Sequence, residues 1–424
     1  VSGEGAAADG VEDRDSGGAS GGWVGRVWVA AGGPAGCGGE GIGMDLNSVK
    51  ARARKATGPL KVADPGSEYW GNRTNAGRSL PPYYLVYFLL VDLLNFRDLG
   101  RSEKIAFSIP IKINNTTLMI EYRKFGLGIF VKDSVDEVAA DKAAKFIRAG
   151  VEAAQPYFES LASAAAKGSS LNVRNNAGEL FERFTFFAEC YASKIKEAEE
   201  RKDERIRTKL PQTGSALSGY SITFPSYDLS REARWYGTAA IEAFFSWTEH
   251  VFILIAILQG KIATGDDIAI IAGIEWKEKF KKSLDISDAL TKKFYDQLTL
   301  LRSQVRNFVA HGAFGKNGEA LSFHSSVGAV PLILPSQRLK KKFIFGNGID
   351  FLLPEAIKTI QDFISHMWSG DLSPAKIYIE TGLPLILSYV INGRYNSAMI
   401  SDETMEEFTH FLGRMVDDAA NMDW

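Results

Sequence analysis

The sequence predicts a mainly α protein, a helical bundle with a small α+β domain ahead of it. Three observations carry that prediction. Apolar residues recur at helical spacing through most of the chain after Ser134, most densely from Ser230 to Gln259. Period-two alternation, the mark of a half-buried strand, is confined to residues 107–131. The totals, 45% apolar and 24% charged over 424 residues, suit a globular chain of two or three domains.

The first 43 residues stand apart. They hold 15 of the 41 glycines and no sustained apolar periodicity. Such a composition cannot bury enough surface to offset its ordering entropy, so residues 1–43 are expected to be a disordered extension, with the natural start at Met44. Residues 44–133 read as the small α+β domain. Ser79 to Phe96 is a helix started by Pro81-Pro82. Phe107, Ile109, Ile111 and Ile113 alternate with other residues, and Asn114-Asn115 offers a tight turn. Leu118, Ile120 and Tyr122 resume the alternation, and Leu127, Ile129 and Val131 follow Gly126 as a third strand.

Residues 134–225 read as a helical segment and linker. Val138 to Ala166 is alanine-rich, with Pro156 starting a new helix. Gly178 to Lys209 begins apolar and ends in KIKEAEERKDERIRTK. That charge run is the solvated face of a helix laced with i,i+4 pairs. Residues 226–370 hold the most apolar helix, Ser230 to Gln259, and a helical segment from Gly265 to Leu284. A long helix capped by Ser287 follows, running through Leu298, Leu301 and Val305. Residues 371–424 are C-terminal helices interrupted at Gly382–Pro384 and Gly393. Glu242, Glu249 and His250 interrupt the longest apolar stretch, which therefore reads as a buried helix; no membrane association and a cytoplasmic location are expected.

Charge and cysteine usage narrow the function classes. A net charge of −2 gives no global basic field, so any nucleic-acid contact must be local. Cys37 and Cys190 form neither a disulfide framework nor a metal-ligand spacing. There is no phosphate-cradling Gly-x4-Gly-Lys-Ser/Thr and no Gly-x-Ser-x-Gly elbow. No cofactor and no metal are expected.

The chemistry-bearing stretch is Arg306-Asn307-Phe308-Val309-Ala310-His311, followed by Gly312 in the position of a left-handed helix cap. A permanent cation, an amide and an imidazole fall within about one and a half helical turns. An RNA phosphodiester can be cut with such groups. A base takes the 2′-OH proton, a cation holds the charge developing on phosphorus, and a donor orients them. Asn307 and His311 are i and i+4 neighbours, so the amide can fix the imidazole. Arg306 lies about 140° around the axis from His311, so the two meet only across a cleft or between two copies.

This run resembles the Arg-x4–6-His signature of the HEPN superfamily in its Arg-Asn-x-x-x-His form. The apolar AAIEAFFSWTEHVFIL resembles the second helix of large HEPN proteins, and the resemblance covers roughly Arg231 to Leu334. It implies a HEPN-like helical bundle and a metal-independent endoribonuclease active as a homodimer. In this reading Arg306, His311 and Asn307 are catalytic. It further implies a setting in bacterial anti-phage defence or a toxin–antitoxin system, with an antitoxin or regulatory protein as partner.

Each feature has a plainer reading. With five histidines and 49 Lys plus Arg, an Arg-x4–6-His spacing also arises by chance. Glu249, a carboxylate on the apolar helix, needs a cation and is placed opposite Arg306 as a fourth catalytic residue; a rim position or a partner elsewhere is the plain alternative. His250 reads as a satisfied structural residue. Arg338, Lys340, Lys341 and Lys342 form a local basic cluster that binds RNA phosphates or is a solvated loop, and Lys277, Lys279, Lys281 and Lys282 offer the same choice. A non-catalytic HEPN-like binding or signalling module is the rival function, and a helical scaffold with a coincidental motif is the third.

Overall fold

A computed structural model describes residues 45–64, 71–132, 136–210, 219–311, 321–333, 344–345 and 353–422, with backbone alone at 307–311, 333 and 344–345. Residues 1–43 and their expected disorder, with Cys37 and Met44, lie outside the described residues. The chain is mainly helical, and it divides into two compact units. The first comprises residues up to Leu161 together with Gly413–Trp424, and the second is Ala162–Leu412.

The first unit opens with α1 (Leu46–Thr57), capped by Asp45, whose carboxylate accepts the Asn47 N–H at 3.1 Å. Short strands β1 (Lys61–Val62) and β2 (Asn72–Arg73) follow, then α2 (Tyr83–Tyr87), which continues as a π-helix over Phe88–Leu93. The helix expected from Ser79 thus begins four residues later, because Pro81 and Pro82 keep the preceding backbone extended. The alternating residues form β3 (Ile105–Ile113), β4 (Thr116–Arg123) and β5 (Gly126–Val131), all antiparallel. Asn114, at φ 53°, makes the turn between the first two. With the edge strands the sheet has the order β1-β3-β4-β5-β2.

Period-two alternation sends Ile109, Ile111, Ile113, Leu118, Ile120 and Ile129 to one face, where they form a core with Leu89, Leu90 and the alanine face of α3 (Glu137–Ala153). The boundary expected at residue 133 therefore falls inside this unit: Ala140, Ala143, Ala144 and Ile147 can be buried only against the sheet and its helices. On the other face Glu121 is buried, accepts from Ser108 Oγ at 3.2 Å and pairs with Arg123 at 2.6 Å.

Pro156 starts a new helix as expected, α4 (Gln155–Lys167), which leads to β6 (Asn172–Val173). The second unit is organised on α5 (Ala177–Glu200) and α6 (Pro225–Leu258), which run antiparallel. The Asn176 N–H bonds His250 at 2.9 Å, Arg183 bonds Ser246 at 2.8 Å and Lys194 pairs with Glu232 at 2.9 Å. The charged end of α5 is a solvated face of short-range ion pairs, among them Lys194–Glu197 and Arg201–Glu204. The helix stops at Glu200 rather than running to Lys209, because Ile206-Arg207-Thr208-Lys209 forms β7 (Ile206–Lys209) against β8 (Tyr220–Thr223). A two-stranded ribbon therefore joins the two helices.

By length and composition α6 could cross a membrane, and 72% of its most apolar window is buried inside the protein. Its buried face packs on α7 (Gly265–Gly273), α8 (Trp276–Ser283), α9 (Ala289–His311) and α10 (Leu353–Met367). Phe244, Phe252, Trp276, Phe280 and Phe363 fill that interior, Phe244–Phe363 and Phe252–Phe280 meeting edge to face and Phe280–Phe363 stacked. Asp288, not Ser287, caps α9: its carboxylate accepts the Thr291 N–H at 2.7 Å, while Ser287 Oγ is held by Asp285. After α9 come β9 (Leu321–Ser325), β10 (Gly328–Ile333) and β11 (Ile344–Phe345). The chain ends in α11 (Ser373–Glu380), β12 (Leu385–Ile386), α12 (Ser388–Ile391), α13 (Arg394–Ala398) and α14 (Asp402–Asn421), with positive-φ glycines at 370, 382 and 393 marking the breaks.

Candidate functional site

Three helices place charge around one open cavity of about 620 Å3. Glu249 comes from α6, Arg302 and Arg306 from α9, and Glu275 and Lys277 from the start of α8. Arg302 and Arg306 are one turn apart, so helical periodicity puts both on the same face. Buried Leu298, Leu301 and Val305 turn the adjoining stripe of α9, about a quarter-turn from the arginines, into the core, which fixes that orientation.

Glu249 is the hub. Its Oε1 accepts from Arg302 Nη2 at 2.6 Å and its Oε2 from Lys279 Nζ at 3.0 Å. The side chain of Lys279 is only 5% exposed, and this carboxylate is its ion-pair partner. Burial pushes the Glu249 carboxyl up, but the bonds from Lys279 and Arg302 outweigh it and hold the group below the usual carboxylate value. The guanidinium of Arg302 also lies over Phe245 at 5.6 Å and Trp276 at 5.7 Å. The indole N–H of Trp276 is satisfied by Thr248 Oγ1 at 2.9 Å.

The expected pairing of Glu249 with Arg306 is thereby corrected: the carboxylate meets Arg302, one turn earlier, because that is where α9 crosses α6. Arg306 is exposed on the wall of the same cavity and forms no ion pair among the described residues. Glu275 lies in its field. The bond from Lys277, at 2.8 Å, holds the Glu275 carboxyl below its ordinary value, and the charges of Arg302 and Arg306 add to the effect. Asn307 and His311 occupy the last turns of α9, and their side chains lie outside the described residues, as do Gly312 and the basic cluster Arg338, Lys340, Lys341 and Lys342.

His250 neighbours Glu249 but faces away from this chemistry. Its Nε2 accepts the N–H of Asn176, the residue capping α5, and burial pushes its imidazole below the usual histidine value. Of the lysine run on α8, Lys277 and Lys281 are engaged by Glu275 and Glu278, and Lys279 is the buried partner of Glu249. Among the described residues no group of three His, Cys, Asp or Glu side chains could hold a metal ion.

Sequence reasoning missed Arg302 and Glu275, and it read Lys279 as an RNA-binding or solvated lysine rather than as the buried partner of Glu249. The i−4 spacing of Arg302 from Arg306 was a usable signal; the seating of Lys279 beneath α6 had none, since an isolated KEKFKK reads as surface. No known protein family, curated protein or solved structure matches the chain.

Proposed function

We propose that the protein is a metal-independent endoribonuclease of the HEPN type. The observation that carries this reading is an exposed guanidinium without an ion-pair partner among the described residues, Arg306, on the wall of an open cavity five residues ahead of His311. The neighbouring Arg302 is bound by Glu249, whereas Arg306 has no ion pair among the described residues, so Arg306 is the cation proposed to meet a phosphate. In the proposed reaction His311 takes the 2′-OH proton and the 2′ oxygen attacks phosphorus. The bond to the 5′ oxygen breaks, and that oxygen takes up a proton. Arg306 binds the non-bridging oxygens through the transition state, and Asn307 orients the imidazole. The products are a 2′,3′-cyclic phosphate and a 5′-OH.

Glu249 is a positioning residue in this scheme, acting through Arg302. Arg306 and His311 diverge on one helix, so they meet across a cleft or between two copies; the HEPN resemblance implies the second, a homodimer in which two α9 ends converge on one linkage. The biological setting is defence or toxin action in a bacterial cytoplasm, under an antitoxin or other regulatory protein.

A second reading is a non-catalytic HEPN-like binding or signalling module. The specific observation favouring it is the presence of Glu249 and Glu275 in the same cavity as the arginines, since carboxylates there oppose a phosphate. One assay separates the two. Single-stranded RNA is incubated with the protein in EDTA beside His311→Ala, Arg306→Ala and Glu249→Gln variants. Cleavage lost about a hundredfold or more with His311→Ala and Arg306→Ala, leaving cyclic-phosphate ends and sparing DNA, is the expected result. A wild-type dimer inert on several RNAs would leave the binding module standing.

A further inference from the structure

The ribbon β7–β8 carries a second cationic surface, remote from the cavity. All eight of its strand residues are exposed, so neither face is covered by the rest of the described chain. Register decides what each face presents. Arg207 stands opposite Ile222 and Lys209 opposite Tyr220, so these four share one face; Ile206, Thr208, Ser221 and Thr223 share the other. Arg205 and Phe224, just outside the strands, continue the first pattern, with the guanidinium 5.8 Å from the ring centroid. One face therefore sets three cations along one strand beside Tyr220, Ile222 and Phe224 along the other.

The charge is unbalanced. From Arg205 to Tyr227 the sequence contains no Asp or Glu. Among the described residues Arg205, Arg207 and Lys209 form no ion pair, and the nearest carboxylate in sequence, Glu204, is bound by Arg201 at 2.6 Å. Arg207 lies 3.7 Å over the Tyr220 ring, and that tyrosine remains 50% exposed. In a chain of net charge −2 such a surface is a local exception.

We propose that this face binds single-stranded RNA, the three cations tracking phosphates and Tyr220 with the Arg207 guanidinium forming a platform for an unstacked base. A row of cations beside a row holding aromatic rings fits a single strand, whose bases are free to stack and whose phosphates run alongside. An RNA duplex hides its base faces and offers a major groove too narrow for side chains to read. Helical rise puts Glu249 about 36 Å along α6 from Pro225, at the far end from the ribbon. The ribbon is thus a binding site of its own and does not depend on cleavage at α9.

The test uses the full chain and a fluorescent 2′-O-methyl RNA of mixed sequence, which has no 2′-OH to react, so loss of the nuclease reading leaves the measurement intact. Titration at several salt concentrations gives affinity and its salt slope. Arg205→Ala, Arg207→Ala and Lys209→Ala together are expected to weaken binding at least about tenfold and to reduce the slope by about two. Tyr220→Ala should weaken it about tenfold while Tyr220→Phe retains it, and Thr208→Ala, on the other face, should change nothing. Unaltered affinity and slope in the triple variant overturn the proposal. So does a triple variant that turns a dimer into a monomer in sedimentation while binding RNA as before, because the ribbon would then be a strand-pairing edge between copies.

Discussion

His250 and Glu249 are adjacent on α6 yet respond to acid for opposite physical reasons. His250 is held neutral by burial while Nε2 accepts the Asn176 N–H, so the folded state binds fewer protons there than the unfolded chain. Its contribution is complete above the ordinary histidine value of 6.5 and is lost as pH falls through the lowered folded value. Glu249 is held charged by Lys279 and Arg302, so its contribution is complete above the ordinary value of 4.5 and is lost only below it. Urea midpoints should therefore fall in two stages on acidification. His250→Gln, which keeps an acceptor and cannot titrate, should abolish the first stage and leave the second; equal midpoints at pH 7.5 and 5.5 in the wild type would refute this role. At this scale the sequence was half readable. It showed that a carboxylate inside an apolar helix needs a cation, and that His250 beside it was structural. Which arginine answers depends on where α9 crosses α6, and that crossing is set by packing absent from any local pattern.

Elements were most legible where one period dominated. The three central strands declared themselves because alternating isoleucines leave no helical face, and Asn114 tolerates the left-handed turn they require. The end of α5 was illegible for the converse reason: a run of Lys, Arg and Glu has high helical propensity, and the alternation over Ile206–Lys209 is too short to oppose it. Its pairing with β8 settles the matter, across a connection that sequence spacing does not predict. Close packing is hidden likewise. A Cβ on Gly77 would lie 2.6 Å from the backbone nitrogen of Ile129, so this glycine lets the chain ahead of α2 lie directly on β5. Backbone cannot retreat as a side-chain tip can. Gly77→Ala should cost about 1–3 kcal/mol in chemical denaturation, and a wild-type midpoint would show that the contact yields.

On the scale of the whole molecule, the first compact unit is not contiguous in sequence. Its core is completed by the last turn of the described chain, where Met422 is 1% exposed among the same cluster as Leu89, Ile109 and Ala144. Lys104 and Lys124 reach Asn421 at 3.3 and 3.1 Å and hold that turn in place. Nothing in the composition of residues 371–424 separates these residues from the helices before them, so a reading along the chain assigns them together. The physical consequence can be measured. Removing residues 413–424 takes a buried methionine and its neighbours from the first unit, at a cost of about 2 kcal/mol or more. Sheet amides in β3, β4 and β5 that exchange by opening of that core should then exchange roughly thirtyfold faster, since about 1.4 kcal/mol corresponds to a factor of ten. Amides in the middle of α6, whose core of Phe244, Phe252 and Phe363 contains none of the removed residues, should keep their protection. Faster exchange in α6 and an unchanged sheet would reverse the assignment, placing the C-terminal turn with the second core rather than the first.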